Sequence, residues 1–237
     1  MTIALAQIAS LKGDIAANIT KHLTFIDQAV TKQADFIVFP ELSLTNYEPS
    51  LAEKLALAAN DERLHVFQDR SDDYQITIGI GAPVRTDAGI HIGLILFRPR
   101  QSRLVYHKKY LHADEKPFFT SGPNFPVFSI KGTTVGLAIC YELSRAMHRE
   151  LAVANGAEIY LASVSKTNEG VQKSAIQLSQ MAQQNGITTL MVNGLGPSDN
   201  FIAAGQSAVW QSDGSLVQQL TAEQEGLLVY QTQIRNT

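Results

Sequence analysis

The sequence predicts an α/β protein, a four-layer α-β-β-α sandwich with two mixed β-sheets. Three observations carry this expectation. Apolar runs of strand length alternate with stretches of helical periodicity, so helices are available to cover sheet faces. Several consecutive strands are separated only by short turns, at Pro99-Arg100-Gln101-Ser102, Lys131-Gly132 and Asp213-Gly214, which a purely parallel sheet does not use. The 237 residues are 45% hydrophobic and 17% charged, with no repeat and no Pro/Gly/Ser-rich linker, so a single domain over residues 1–237 is expected.

The elements follow in order. Thr2–Gln7 reads as a strand. Asp14 is placed to cap a helix that carries Ile15, Ile19, Leu23, Ile26 and Val30 on one face. Residues 35–39 form a buried strand halted by Pro40. Pro49 and Ser50 open a helical stretch to about Ala59, with a shorter helix over 63–69. Strands are expected over 75–81, 92–98 and 103–107, then over 126–130 and Thr133–Ile139. A helix over 144–155 stops at Gly156, and a strand over 158–164 follows. The helix over 171–185 ends at Gly186, and 187–192 is the next strand. Strands over 206–211, 215–219 and 226–230 complete the chain.

Composition excludes several classes. Nineteen basic and 22 acidic side chains give a net charge of −3, a poor match for a phosphate backbone, so no nucleic-acid partner is expected. No apolar run approaches the roughly 18 residues of a membrane span. Met1-Thr2-Ile3-Ala4 has no cationic stretch ahead of an apolar one, so no signal peptide is expected. A lone cysteine, Cys140, rules out an internal disulfide and a multi-cysteine zinc site, and a reducing cytoplasmic setting is the expectation.

The local pattern around Cys140 is an apolar strand, 135–139, that stops at a thiol just before a helix. A nucleophile at such a turn is lifted out of the sheet, where amides of the helix start can face an oxyanion. A small core residue is the commoner fate of a free cysteine, and this pattern alone leaves both readings open. A thiol needs an activating neighbour. His148 is one candidate, awkwardly placed on the following helix. His107 and His112 flank a lysine-rich strand end near Asp114 and Glu115 without metal-ligand spacing, so no metal is expected there. Two other strand ends carry charge: Glu41 after Phe39-Pro40, and Lys108 with Lys109 after Tyr106-His107. Taken singly, the first reads as a cap and the second as a solvated basic turn.

Together, Phe39-Pro40-Glu41, Tyr106-His107-Lys108 with Leu111, and Gly136-Leu137-Ala138-Ile139-Cys140-Tyr141-Glu142, in that order, resemble the nitrilase superfamily of carbon–nitrogen hydrolases. Glu115 with Phe119 and Gly122, then Gly156-Ala157-Glu158, Asn185, Asn193 and Gly205-Gln206-Ser207, extend the resemblance over nearly the whole chain. It implies the α-β-β-α sandwich, a Glu41–Lys108–Cys140 triad and hydrolysis of a non-peptide C–N bond with no metal or organic cofactor. Lys108, not Lys109, matches the family's Tyr-x-Lys-x-x-Leu pattern, and Lys109 falls on the other face of an extended strand. Glu115 matches the second glutamate that positions the lysine. Tyr141 supplies an oxyanion-facing amide, while Tyr47, Phe119 (with Phe118) and Ser165 are expected on the substrate wall.

The chain departs from the family pattern at Ser144, where an arginine is usual, and at Gln184, where a glutamate is usual. Those departures motivate a second reading, a ligand-binding or scaffold protein that keeps the fold without turnover. The first reading is an amidase releasing ammonia from a small carboxamide, with an N-carbamoyl-amine hydrolase or a nitrilase as variants. A Cys140–His148 hydrolase is the third. A small-molecule amide is the expected partner, with no membrane, and the resemblance implies a homodimer or a higher even homo-oligomer.

Overall fold

A computed structural model describes residues 1–123 and 127–232. The chain runs β1 (Thr2–Gln7), α1 (Ile15–Thr31), β2 (Phe36–Val38), α2 (Ala52–Leu55), β3 (Leu57–Ala58), α3 (His65–Tyr74), β4 (Thr77–Thr86), β5 (Gly89–Phe97) and β6 (Leu104–His107). It continues through β7 (Val127–Ile130), β8 (Thr133–Ile139), α4 (Ala146–Ala154), β9 (Ile159–Val164), α5 (Asn168–Asn185), β10 (Thr188–Asn193), β11 (Leu195–Ser198), β12 (Phe201–Ala204), β13 (Ala208–Trp210), β14 (Leu216–Gln219) and β15 (Gly226–Gln231). Among these residues no helix is long and apolar enough to cross a membrane.

Two mixed sheets form, ordered β15-β1-β2-β4-β5-β6, with β3 also paired to β4, and β14-β13-β10-β9-β8-β7. Side-chain alternation along the strands explains the layering. Ile3 and Leu5 of β1, Leu94 and Leu96 of β5, Leu137 and Ile139 of β8 and Leu161 of β9 share one core between the sheets. Ala4 and Ala6 of β1 face the opposite way and pack with Phe25 and Ile26 of α1 and Phe67 of α3. Ala138, Tyr160 and Met191 face outward from the second sheet onto Ala152 of α4 and Leu178 and Met181 of α5. These three cores separate four layers, and the expected sandwich is the one observed.

Boundaries differ where tertiary pairing overrides local pattern. The helix expected from Pro49 to about Ala59 is a 3-10 turn, Pro49–Leu51, followed by the single turn α2. Ala56 then becomes extended, because Leu57 pairs with Val84 of β4 and buries its side chain. Gln75 is not in a strand but takes a left-handed conformation that closes α3. Strand β4 runs on to Thr86, since its hairpin with β5 turns at Asp87-Ala88. Thr167 accepts from the Gly170 amide and starts α5 three residues before the apolar pattern does. The β11–β12 hairpin was not expected from the sequence. Pro126, the first residue of the strand expected over 126–130, lies outside the described residues.

Candidate active site

Three strand ends meet at one place between the sheets. Strand β2 stops before Pro40, and the chain turns through Glu41 over β4. A Cβ at Gly81 of β4 would lie 2.3 Å from the Pro40 carbonyl, so glycine alone permits this approach. Strand β6 delivers Lys108, whose amide bonds the Ile92 carbonyl (2.8 Å) and whose carbonyl accepts from Gly122 (2.8 Å). Lys108 is buried while Lys109 is half-buried, which separates the two lysines as the strand pattern required. Strand β8 ends at Cys140, the first residue of a 3-10 turn, Cys140–Ser144. Its φ of +45° lies in the left-handed region that non-glycine residues seldom occupy, a strained conformation held by its surroundings.

The Lys108 ammonium donates to Glu41 Oε1 (2.7 Å) and to Glu115 Oε1 (2.6 Å), all three side chains being sealed from water. Tyr47 donates its hydroxyl to the same Glu115 oxygen (3.0 Å), and the His112 amide donates to the other (2.8 Å). Burial raises Glu41 to about 7; Lys108 opposes the shift and Glu115 adds to it. Burial works against the Lys108 charge, but the Glu41 and Glu115 carboxylates outweigh it and hold the lysine protonated far above neutral pH. Burial, reinforced by Glu41, pushes the Cys140 thiol up to about 11, while Lys166 and then Lys108 pull it down. At neutral pH the site therefore rests as a thiol, a permanent cation and a carboxyl balanced between its two forms. Glu41 Oε2 is buried with no nitrogen or oxygen donor against it, and the carboxyl lies close enough to the Cys140 thiol to interact with it.

Cys140 opens onto a cavity of about 310 Å³. Tyr47, Glu115, Tyr141 and Ser165, all expected at the site, line it. The Ser165 carbonyl lies 3.7 Å from the Cys140 sulfur. Phe119 does not line it. Its side chain is buried in the core between the sheets, Phe118 is solvent-exposed, and the phenylalanine on the wall is Phe201 from the unforeseen β12. His112, Asp114, Lys166, Thr167 and Gly170 complete the lining and were also missed. The backbone of Lys166 is clamped at both ends by the Asn193 side chain, at 2.8 and 3.1 Å. The absence of a side chain at Gly170 leaves room for the Lys166 stem.

His148 is engaged elsewhere. Its Nε2 meets the Tyr106 hydroxyl (2.8 Å) and its Nδ1 meets that of Tyr160 (2.9 Å), and burial lowers its pKa, so it stays neutral and turned away from the thiol. His107 stacks on His91 (4.6 Å between centroids), and among the described residues no group of three or more His, Cys, Asp or Glu is arranged to hold a metal. The departures from the family pattern fall off the cavity: Ser144 is exposed and caps the Tyr141 carbonyl (2.7 Å), and Gln184 is exposed on α5 beside α4.

The model of the carbon-nitrogen hydrolase family matches residues 2–237. The chain belongs to the carbon–nitrogen hydrolase family. This hydrolase is 27% identical over 221 residues to an (R)-stereoselective amidase from Pseudomonas, covering 88% of this chain and 77% of that one. It is 28% identical over 234 residues to a glutamine-dependent NAD(+) synthetase from Acinetobacter baylyi, covering 95% of this chain but spanning only 43% of the synthetase. Among solved structures it resembles the nitrilase-superfamily amidase of Nesterenkonia sp. AN1, at 26% identity over 97% of this chain and 89% of that one, with a TM-score of 0.87. One variant of that amidase was solved in complex with butyramide. Another carries the acetamide moiety of fluoroacetamide covalently added at its active-site cysteine.

Proposed function

We propose that this carbon–nitrogen hydrolase is an amidase that cleaves a small carboxamide through a thioester on Cys140, releasing ammonia and a carboxylic acid. The observation that carries the reading is the buried Lys108 bridging Glu41 and Glu115 beside the only thiol in the chain. Glu41, balanced near neutrality, takes the thiol proton as sulfur attacks the carbonyl carbon. Charge develops on the carbonyl oxygen, where the Lys108 ammonium and the Tyr141 amide, the first after the nucleophile, stabilise it. Losing one such donor costs about 2.7–4 kcal/mol of barrier. Glu41 returns the proton to the nitrogen as the C–N bond breaks and ammonia departs. It then deprotonates water, which attacks the thioester, breaks the C–S bond and restores the thiol. Glu115, tied to Lys108 and Tyr47, holds the ammonium in place.

A cavity of about 310 Å³ suits a small amide, and the butyramide complex of the Nesterenkonia amidase supports that class. Incubation with a panel of amides, N-carbamoyl amines and nitriles, followed by mass spectrometry of the protein, is the test. An acyl adduct on Cys140 with ammonia release from amides is expected. Carbon dioxide release would move the assignment to carbamoyl amines. Absence of adduct and ammonia across the panel would overturn it. Exposed Met147 on α4 and Ile176 on α5 support pairing of copies into a homodimer or higher even assembly, checked by sedimentation, and a cytoplasmic setting remains the expectation.

A further inference from the structure

We propose that Glu142 is a positioning residue whose carboxylate sets the separation between Cys140 and Lys108. The inference rests on the amidase reading and extends it to a residue that does not touch the substrate cavity. Cys140 and Lys108 leave strands of different sheets, β8 and β6, which share no hydrogen-bonded ladder. The sandwich core alone sets such a distance only through apolar packing, which has no direction.

The Glu142 side chain is fully buried at that junction. Its Oε2 reaches back to accept from the amide of Ile139 (2.8 Å), the residue before the nucleophile, and from the Tyr106 hydroxyl (2.6 Å). Its Oε1 crosses to the other sheet and accepts from the amides of Lys109 (2.6 Å) and Tyr110 (3.3 Å), the two residues after Lys108. Four donors converge on two oxygens, and three of them are backbone amides that cannot reverse. Only an ionised carboxylate accepts at all four places; a carboxamide of the same shape would turn an N–H₂ towards donors. One side chain therefore fastens the residue before Cys140 to the residues after Lys108. It also closes the turn in which Cys140 is held at positive φ.

The contacts continue outward from Tyr106 through His148 to Tyr160, which provides an internal control. Tyr106→Phe removes a donor to Glu142, whereas Tyr160→Phe removes a hydroxyl from the far end of the same chain. The experiment measures kcat, KM, thermal stability and the pH profile of Cys140 alkylation by iodoacetamide for the full-length wild type and three variants. Glu142→Gln is expected to lower kcat on the order of 10²-fold, the effect of misplacing reacting groups by about 1 Å, with KM unchanged. Its alkylation profile should move to higher pH as Lys108 loses its hold on the thiolate. Tyr106→Phe should show the same pattern to a smaller degree, and it carries the test if Glu142→Gln does not fold. Tyr160→Phe should lose stability and keep both kcat and the alkylation profile.

If Glu142→Gln, or Tyr106→Phe in its place, keeps the wild-type kcat and profile, or loses activity only in step with the stability lost by Tyr160→Phe, the inference is overturned. A wild type inactive on every amide would sink the amidase reading instead. The alkylation profiles would still decide whether Glu142 governs the thiol.

Discussion

The floor and the rim of the cavity place polar side chains in opposite surroundings. On the floor, which lies beneath the cavity, Lys108, Glu41 and Glu115 have side-chain exposures of 0%, 0% and 1%, and Glu115 alone of the three lines the cavity. On the rim, the His112–Asp114 pair is 56% and 52% exposed, and Lys166 is half-buried. An ion pair on the floor interacts through a medium far less polarisable than water, so its position controls reactivity. On the rim, solvent and salt screen charge–charge interactions to about 1 kcal/mol or less. On the proposed reading, the floor carries the chemistry and side chains that water reaches tune substrate preference.

The strongest way to break this contrast is Lys108→Met. It leaves two buried carboxylates with no cation. Hydrolysis should fall at least about 10²–10³-fold, the scale of losing one charge-stabilising donor. Stability should drop by about 3–5 kcal/mol in urea unfolding. Part of that stability should return on acidification, as a buried carboxyl takes a proton; a loss independent of pH would count against a floor held by charge.

Glu41 gives an intermediate effect. With its pKa near 7, the logarithm of kcat/KM should rise with pH and level off above that value, and Glu41→Gln should abolish this limb with a loss of about 10²–10⁴-fold. Its pKa when folded exceeds the 4.5 of a free side chain, so its contribution to stability is complete below about 4.5 and is lost as pH rises through 7. Unfolding curves between those values should flatten in the glutamine variant.

The smallest effect is expected on the rim. Lys166 pulls the thiol pKa down more than Lys108 does, yet its charge is partly solvated and it holds no carboxylate of the buried cluster, so Lys166→Ala should lower hydrolysis by no more than about fivefold. High salt should bring the wild type towards the variant. A change as large as that in Lys108→Met would erase the distinction between the two regions.

Glu41, Lys108 and Cys140 each stand just past a strand that ends in a turn, but taken singly each also fitted a bland role; only the three motifs in chain order, through the family resemblance, singled them out together. Lys166 also follows a strand, β9, and could have been found by the same rule, but its neighbour Ser165 drew the assignment. Phe119 and Phe201 are alike locally, and only the pairing of β12 with β11 brings the second to the cavity. That hairpin was obscured by Gly194, Gly196, Pro197 and Gly205, which weaken any strand pattern; the turn at Asp199-Asn200, with Asp199 at φ +42°, was its available sign.

By itself the amino-acid order determined the layered α/β architecture, the chain order of an acid, a base and a thiol, and which of two adjacent lysines turns inward. These depend on periodicity and on where strands stop, which short stretches of chain encode. The tertiary structure alone decided that Glu142 spans two sheets, that His148 is spent on two tyrosines and that Phe201 replaces Phe119. Those outcomes depend on the register and approach of strands far apart in the chain, and such distances come from packing the whole core.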